Sequence, residues 1–248
     1  MFFPYKDDNP RVLVPYVMYG IITLNILVFL FQMGLPTLSR YEFTLSYGLI
    51  PGMLGRVSVP ELLAYHSDYL SQLYAQYISV EATPHSPVMT IFTSMFIHGG
   101  LAHILGNMWF LWIFGDNVES SLGHARFALF YLLSGVGAAL AQITIDPGSV
   151  IPMIGASGAI AGVLGAYMIR FPRSNVHVFL FLFIFFTTIR VPAFIVIGFW
   201  FLEQLTNGLG SLGLNTTGGV AWFAHVGGFI AGVGFERLFR QNRRLRWI

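Results

Sequence analysis

The chain has 248 residues, of which 55% are hydrophobic, 16% aromatic and only 10% charged, with a formal net charge of +2. So few charges cannot cover the surface of a water-soluble domain, and the composition predicts a multi-pass membrane protein whose length permits one helical bundle plus a modest loop domain. With no cysteine in the chain, disulfides, thiol chemistry and cysteine-bound metal are excluded.

Residues 1–12, with Lys6, Asp7, Asp8 and Pro10, read as a short polar tail. The apolar run from Leu13 to Met33 is long enough to cross a bilayer, and no small-residue cleavage site follows it, so it reads as an anchor. From 34 to 90 the chain turns polar and tyrosine-rich, with Arg40, Glu42, Arg56 and Glu61 among Tyr41, Tyr47 and Tyr65. This predicts a long external loop, made either of amphipathic helices lying at the membrane interface or of a small cap packed on the bundle. Five further apolar stretches, at 91–115, 126–145, 154–169, 191–207 and 220–236, bring the crossings to six. The expected fold is therefore all-α, a six-transmembrane-helix bundle over 13–236. Phe179 to Thr188 is also apolar, but Arg190 and Pro192 cut it from the next span, and it is expected as an interface-embedded loop segment.

The cationic residues orient this bundle. With the N-terminus inside, Lys6, Arg11, Arg126, Arg170, Arg173, Arg190, Arg237 and the arginines of the basic tail 237–248 are cytoplasmic, and only Arg40 and Arg56 are outside. Both termini are then cytoplasmic, and the expected setting is a prokaryotic inner membrane. Anionic lipid accounts for the basic tail, and no nucleic-acid partner is needed.

Four polar residues stand out inside the apolar stretches. Ser157, in Pro152-Met-Ile-Gly-Ala-Ser-Gly-Ala-Ile-Ala-Gly162, sits where a helix begins, beside backbone N–H groups that no earlier carbonyl can satisfy. Such donors suit an oxyanion, and the placement suits a nucleophile; the glycines around it equally suit close helix packing. His103 and Asn107 share one helix face at i and i+4, and His225 lies in the last span. Ser157, His225 and His103 precede the inner-boundary residues Arg170, Arg237 and Asp116 by 12 or 13 residues each, about 18 to 20 Å of helix. They therefore share one level, about 10 Å below the outer surface of a layer about 30 Å thick. A span that starts at Ser157 is too short to cross, so the preceding loop must dip inward and line a cavity that water can reach. Gly158 and Gly162 on one helix, with Gly228 and Gly232 on another, allow the approach that lets Ser157 meet His225. These are the parts for acyl transfer, and since no carboxylate lies at that depth the expected constellation is a Ser-His dyad. A proton or ion path through a transporter or channel is the rival use of intramembrane polar groups, and it usually comes with internal repeats, which this sequence lacks.

Gly155-Ala-Ser-Gly158, His103-Ile-Leu-Gly-Asn107 and Ala224-His-Val-Gly-Gly-Phe-Ile-Ala-Gly232, in this order, resemble the rhomboid family of intramembrane serine proteases, as does Phe114-Gly-Asp-Asn-Val-Glu119. The resemblance runs from about Phe92 to Arg237 and implies a rhomboid-like bundle. It implies Ser157 as nucleophile and His225 as general base and acid. His103, Asn107 and the Ser157 backbone N–H would stabilise the oxyanion, and transmembrane protein segments would be the substrates. It further suggests a side gate at Phe199, Trp200 and Phe201, and it calls for neither metal nor cofactor. Ala156 precedes the serine, where inactive relatives commonly carry proline; a catalytically silent, client-binding relative is the second alternative. Ala161 departs from members that place a large aromatic there, under the histidine.

Overall fold

A computed structural model describes residues 2–58, 60–62, 64–65, 86–182, 185–212 and 220–239. Among them, seven helices of 11 residues or more carry the fold: α1 (Tyr16–Gly34), α2 (Thr37–Tyr47), α3 (Leu101–Leu122), α4 (His124–Ile145), α5 (Ser157–Arg170), α6 (Ala193–Ser211) and α7 (Trp222–Phe239). Three strands, β1 (Phe2–Asp7), β2 (Asn175–Leu182) and β3 (Phe185–Pro192), complete it. The part of the first loop at 66–85 and the basic tail from 240 lie outside the described residues.

The fold is predominantly helical and α5 is its axis. Its residues Ala159 to Tyr167 are all buried, so this helix is apolar all round and enclosed by neighbours rather than amphipathic. Glycine sets how near those neighbours come. A side chain on Gly228 of α7 would collide with the carbonyl oxygen of Gly158 on α5, and one on Gly232 with that of Gly162. The two backbones touch, as small residues permit where dispersion rather than water drives packing. On the outside, α1 buries only the stripe Met18, Asn25, Phe29 and Gln32 and exposes Leu24, Leu27, Leu30 and Phe31. So large an apolar surface fits lipid, not water. By length and hydropathy alone, α1 and α4 suffice to cross a membrane.

The structure departs from the expected elements in three places. The all-α expectation meets a three-stranded antiparallel sheet of order β1-β2-β3. Residues 2–7 of the expected tail pair with β2, Phe3 opposite Phe179 and Asp7 opposite Val176, and the expected interface loop is the β2–β3 hairpin, with His177 opposite Arg190. The β-branched and aromatic residues of Val176 to Val191 favour a pleated strand, but apolar side chains on both faces hide the two-residue alternation. The second predicted span, 91–115, instead begins at Leu101 and runs to Leu122. Gly99 and Gly100 break the chain before it, and a short turn at Thr90–Thr93 lies beyond them. Within the long first loop, α2 packs against the bundle, and Arg40 on it donates to the carbonyls of Gln32, Met33 and Leu35 (3.1 to 3.4 Å), satisfying the end of α1.

Candidate functional site

Ser157 is placed by the turn that starts α5. Gly155 has φ +114°, a left-handed conformation that favours glycine, and a Cβ there would lie 2.6 Å from His103 Nε2. Both the backbone and the neighbouring ring therefore require glycine at this point. The approaching loop is fixed by the Gly155 N–H to the Ser94 carbonyl (2.9 Å), by the Leu49–Met153 bridge and by the Gly52 N–H to the Ser149 carbonyl (2.8 Å). The helix that follows, α5, has 14 residues. Its first-turn N–H groups have no intrahelical partner.

Across the α5–α7 contact, Ser157 Oγ lies 2.7 Å from His225 Nε2. On the other side of the ring, His225 Nδ1 lies 2.7 Å from Gln204 Oε1, on α6. Two indoles flank the imidazole: Trp200 of α6, centroid to centroid 6.0 Å, and Trp222 of α7, edge-on at 6.3 Å. Ala161, the departure noted in the sequence, is fully buried. The ring is held from α6 and α7 rather than from beneath on α5.

His103, near the start of α3, faces the same cavity. The Gly99 N–H donates to its Nδ1 (3.3 Å), which puts the ring hydrogen of neutral His103 on Nε2, the atom nearest Gly155. Asn107 is buried one turn further on, and its amide donates to the His103 carbonyl (2.9 Å). Asn107 does not line the cavity, and one of its two amide hydrogens is already engaged. The cavity, about 270 Å³, is lined by Ser94, Met95, His103, Met153, Gly155, Ser157, Ala224 and His225, among others. His103, Met153 and Ala221 also line a wider vestibule of about 620 Å³ with polar walls that include Asp146, Ser149, Thr206 and Asn207. Water has a route to the serine.

The three expected gate residues separate. Phe199 and Trp200 line a mostly apolar groove of about 350 Å³ with Phe110, Phe114 and Leu164, between α3, α5 and α6. Phe201 turns toward α7 and stacks on Phe229 at 4.4 Å. Gln204 escaped the sequence reading. The signal for it was a lone amide on the inward stripe of α6, in line with the buried Ala193, Val196, Ile197 and Gly208.

A serine held by an imidazole, beside unpaired backbone N–H groups and a wet cavity, can attack a carbonyl and shelter the resulting oxyanion. The chain is also similar to known proteins. The Rhomboid domain family model matches residues 85–242. RHOMBOID-like protein 1 of Arabidopsis thaliana is 28% identical over 92% of this chain and 54% of its own length. Rhomboid protease GluP of Bacillus subtilis is 35% identical over 57% of this chain and 24% of its own, and Rhomboid protein 1, mitochondrial, of Saccharomyces cerevisiae is 32% identical over 58% and 40%. The chain thus spans about half or less of the length of these relatives.

Proposed function

The chain belongs to the rhomboid family, and from that premise we propose that it is a serine-type intramembrane endopeptidase that cuts transmembrane segments of membrane proteins with a Ser157–His225 dyad. Members of the family are integral membrane proteins, and one of the relatives named above is a protease. The observation that carries the reading is the 2.7 Å contact between Ser157 Oγ and His225 Nε2 beside the cavity.

In this reading the Ser157 hydroxyl gives its proton to His225 Nε2 as Oγ attacks the peptide carbonyl. Negative charge develops on the carbonyl oxygen, beside the Ser157 backbone N–H and the Nε2–H of His103, with the second amide hydrogen of Asn107 as a further donor. His225 then protonates the leaving amine, which departs with one half of the substrate. Water from the vestibule adds to the acyl-enzyme by the same route, with His225 again the base, and Ser157 is restored.

The same proposal has α1 and α3 to α7 as six crossings, with both termini in the cytoplasm, Ser157 near the outer face, and a prokaryotic inner membrane as the setting. A carbonyl inside a substrate helix is bonded to the N–H four residues on and wrapped by side chains, so the substrate unwinds locally before attack. Each freed backbone group costs several kcal/mol in lipid and less in a wet cavity. Cleavage therefore falls in the outer part of the substrate's span, with access past Phe199 and Trp200, and is faster where glycine or proline weakens the helix. The test is cleavage of a reporter membrane segment together with labelling by a fluorophosphonate, for wild type and Ser157→Ala. Labelling and cleavage that both need Ser157 are expected, with the cut mapped by mass spectrometry. A wild type that neither labels nor cuts would make the chain a silent, client-binding relative, and a cut near the cytoplasmic boundary would overturn the depth argument.

A further inference from the structure

We infer that Gln204 is the positioning residue of this site, fixing His225 in the one neutral form that can take the Ser157 proton; the inference rests on the proteolytic reading for its consequence in turnover, but not for the tautomer itself. A neutral imidazole carries its hydrogen on one nitrogen only, and general-base action toward Ser157 requires a free lone pair on Nε2. The hydrogen must then sit on Nδ1 and must find an acceptor there, because an imidazole N–H buried without one is unfavourable. At 2.7 Å from Nδ1 stands the side-chain oxygen of Gln204.

Among the described residues, Gln204 is the one hydrogen-bond partner of His225 Nδ1. The indoles of Trp200 and Trp222 approach His225 with ring faces and edges, and an indole N–H is a donor only. The carboxylates of Asp116 and Glu119 lie toward the other end of α3, 13 and 16 residues past His103, or about 20 Å and more along the axis. Gln204 itself is 5% exposed, on the face of α6 that carries the buried Val196, Ile197 and Gly208. A polar side chain on that stripe needs a partner, and His225 supplies one.

A neutral amide rather than a carboxylate in this position has a chemical consequence. It directs the tautomer and holds the ring plane without placing a second charge in the apolar interior, where an unpaired carboxylate is strongly disfavoured. The order Gln204–His225–Ser157 is therefore an orienter, a base and a nucleophile in line, with two 2.7 Å contacts spanning three helices.

The test uses full-length protein in detergent micelles, with ¹⁵N-labelled histidine and His225→Ala to assign the resonances. The wild type is expected to show neutral His225 with its hydrogen on Nδ1, the form disfavoured for a free imidazole side chain, and Gln204→Met, of similar length but without a strong acceptor, to shift toward Nε2–H. In turnover of the reporter segment, Gln204→Met is expected to lower kcat by about 10- to 100-fold while KM stays within about twofold, as for loss of a group that orients a catalytic or ligating histidine. Gln204→Glu keeps an acceptor at the same reach but brings a carboxyl group into the apolar interior, so it is expected to recover part of that loss and no more. A wild-type His225 with its hydrogen on Nε2, a Gln204→Met enzyme with undiminished kcat, or a loss confined to KM would overturn the inference. If the wild type cuts nothing, the proteolytic reading fails on its own, and the tautomer still decides the role of Gln204.

Discussion

Two buried polar clusters occupy opposite ends of the same bundle, and they differ in how completely their hydrogen bonds are made. At the end of the bundle where β1 lies, Glu119 is fully buried and accepts from the Val17 and Met18 N–H groups (3.0 and 2.8 Å) and pairs with His124 (2.6 Å), so it caps the start of α1. Asp7 of β1 accepts from the Tyr167 hydroxyl (2.5 Å) and the Asn117 amide (2.9 Å), while Asp116 takes Arg11 (3.3 Å). These acids tie β1, α1, α3 and α5 together, and no cavity adjoins them among those described above. At the opposite end, Ser157, His225 and Gln204 form a single line of hydrogen bonds beside open volume and the first-turn N–H groups of α5, which have no intrahelical partner. A saturated cluster holds elements in place. A line of groups with donors to spare and room for a substrate is equipped for chemistry.

Substitutions that break each cluster should separate the two roles. The largest effect belongs to the Ser157 cluster: Ser157→Ala and His225→Ala should each abolish reporter cleavage, and the double variant should be scarcely worse, because nucleophile and base act as a unit. Thermal stability should change little for Ser157→Ala, whereas additive losses or gross unfolding would return Ser157 to a packing role. Next come the donors. Removing one preorganised oxyanion donor typically costs about 100- to 1000-fold in turnover, so His103→Ala and Asn107→Ala should be slow rather than dead. An Asn107→Ala effect on KM alone would assign that amide to substrate binding, and His103, which lines the cavity, is the more direct of the two tests.

For the acidic cluster the expected readout is stability. Glu119→Ala leaves the buried N–H groups at the start of α1 without their acceptor and should destabilise by about 2 to 4 kcal/mol, with turnover per folded molecule preserved. Chemical denaturation with parallel single-turnover cleavage would measure both. Asp7 gives a smaller effect with a definite sign. Burial pushes its carboxyl up from the ordinary 3.8 to about 6, against the opposing hydrogen bond from Tyr167 and with nearby Asp116 adding to the rise. The folded state therefore binds more protons than the unfolded one between pH 3.8 and about 6, and the attachment of β1 is strongest at the acid end of that window and weakens as pH rises through it. Hydrogen exchange of the β1–β2 pair should quicken beyond its intrinsic rate as pH rises from about 5 to 7, and Asp7→Asn should flatten that dependence. Smallest is Phe199→Ala on the exposed face of α6, expected within about 0.5 kcal/mol of wild type in stability. A marked rise in turnover with that variant would sharpen the side-gate reading.

Hydropathy and a rise of about 1.5 Å per residue act along one dimension, so the membrane setting, the order of the long helices and the shared level of His103, Ser157 and His225 along the bundle were legible in the sequence. It also determined the contact of α5 with α7: glycines at one helical spacing on both helices remove the side chains that would otherwise hold the backbones apart. Where one face of an element is hidden by the other, or where a hydrogen bond joins distant positions, a single strand of sequence has no such coordinate. The sheet was masked because β2 and β3 are apolar on both faces, and β1 is read as a strand only through pairing with residues about 170 positions away. In the sequence Gln204 is one of several polar residues, with Glu203, Thr206 and Asn207, in the second half of an apolar helix. Its meaning depended on the rotation of α6 about its own axis, which packing against α5 and α7 fixes and which brings its oxygen to His225, 21 residues onward. The acids of Phe114 to Glu119 were legible as a motif, but their partners on β1, α1 and α5 follow only from the way the helix ends converge in three dimensions.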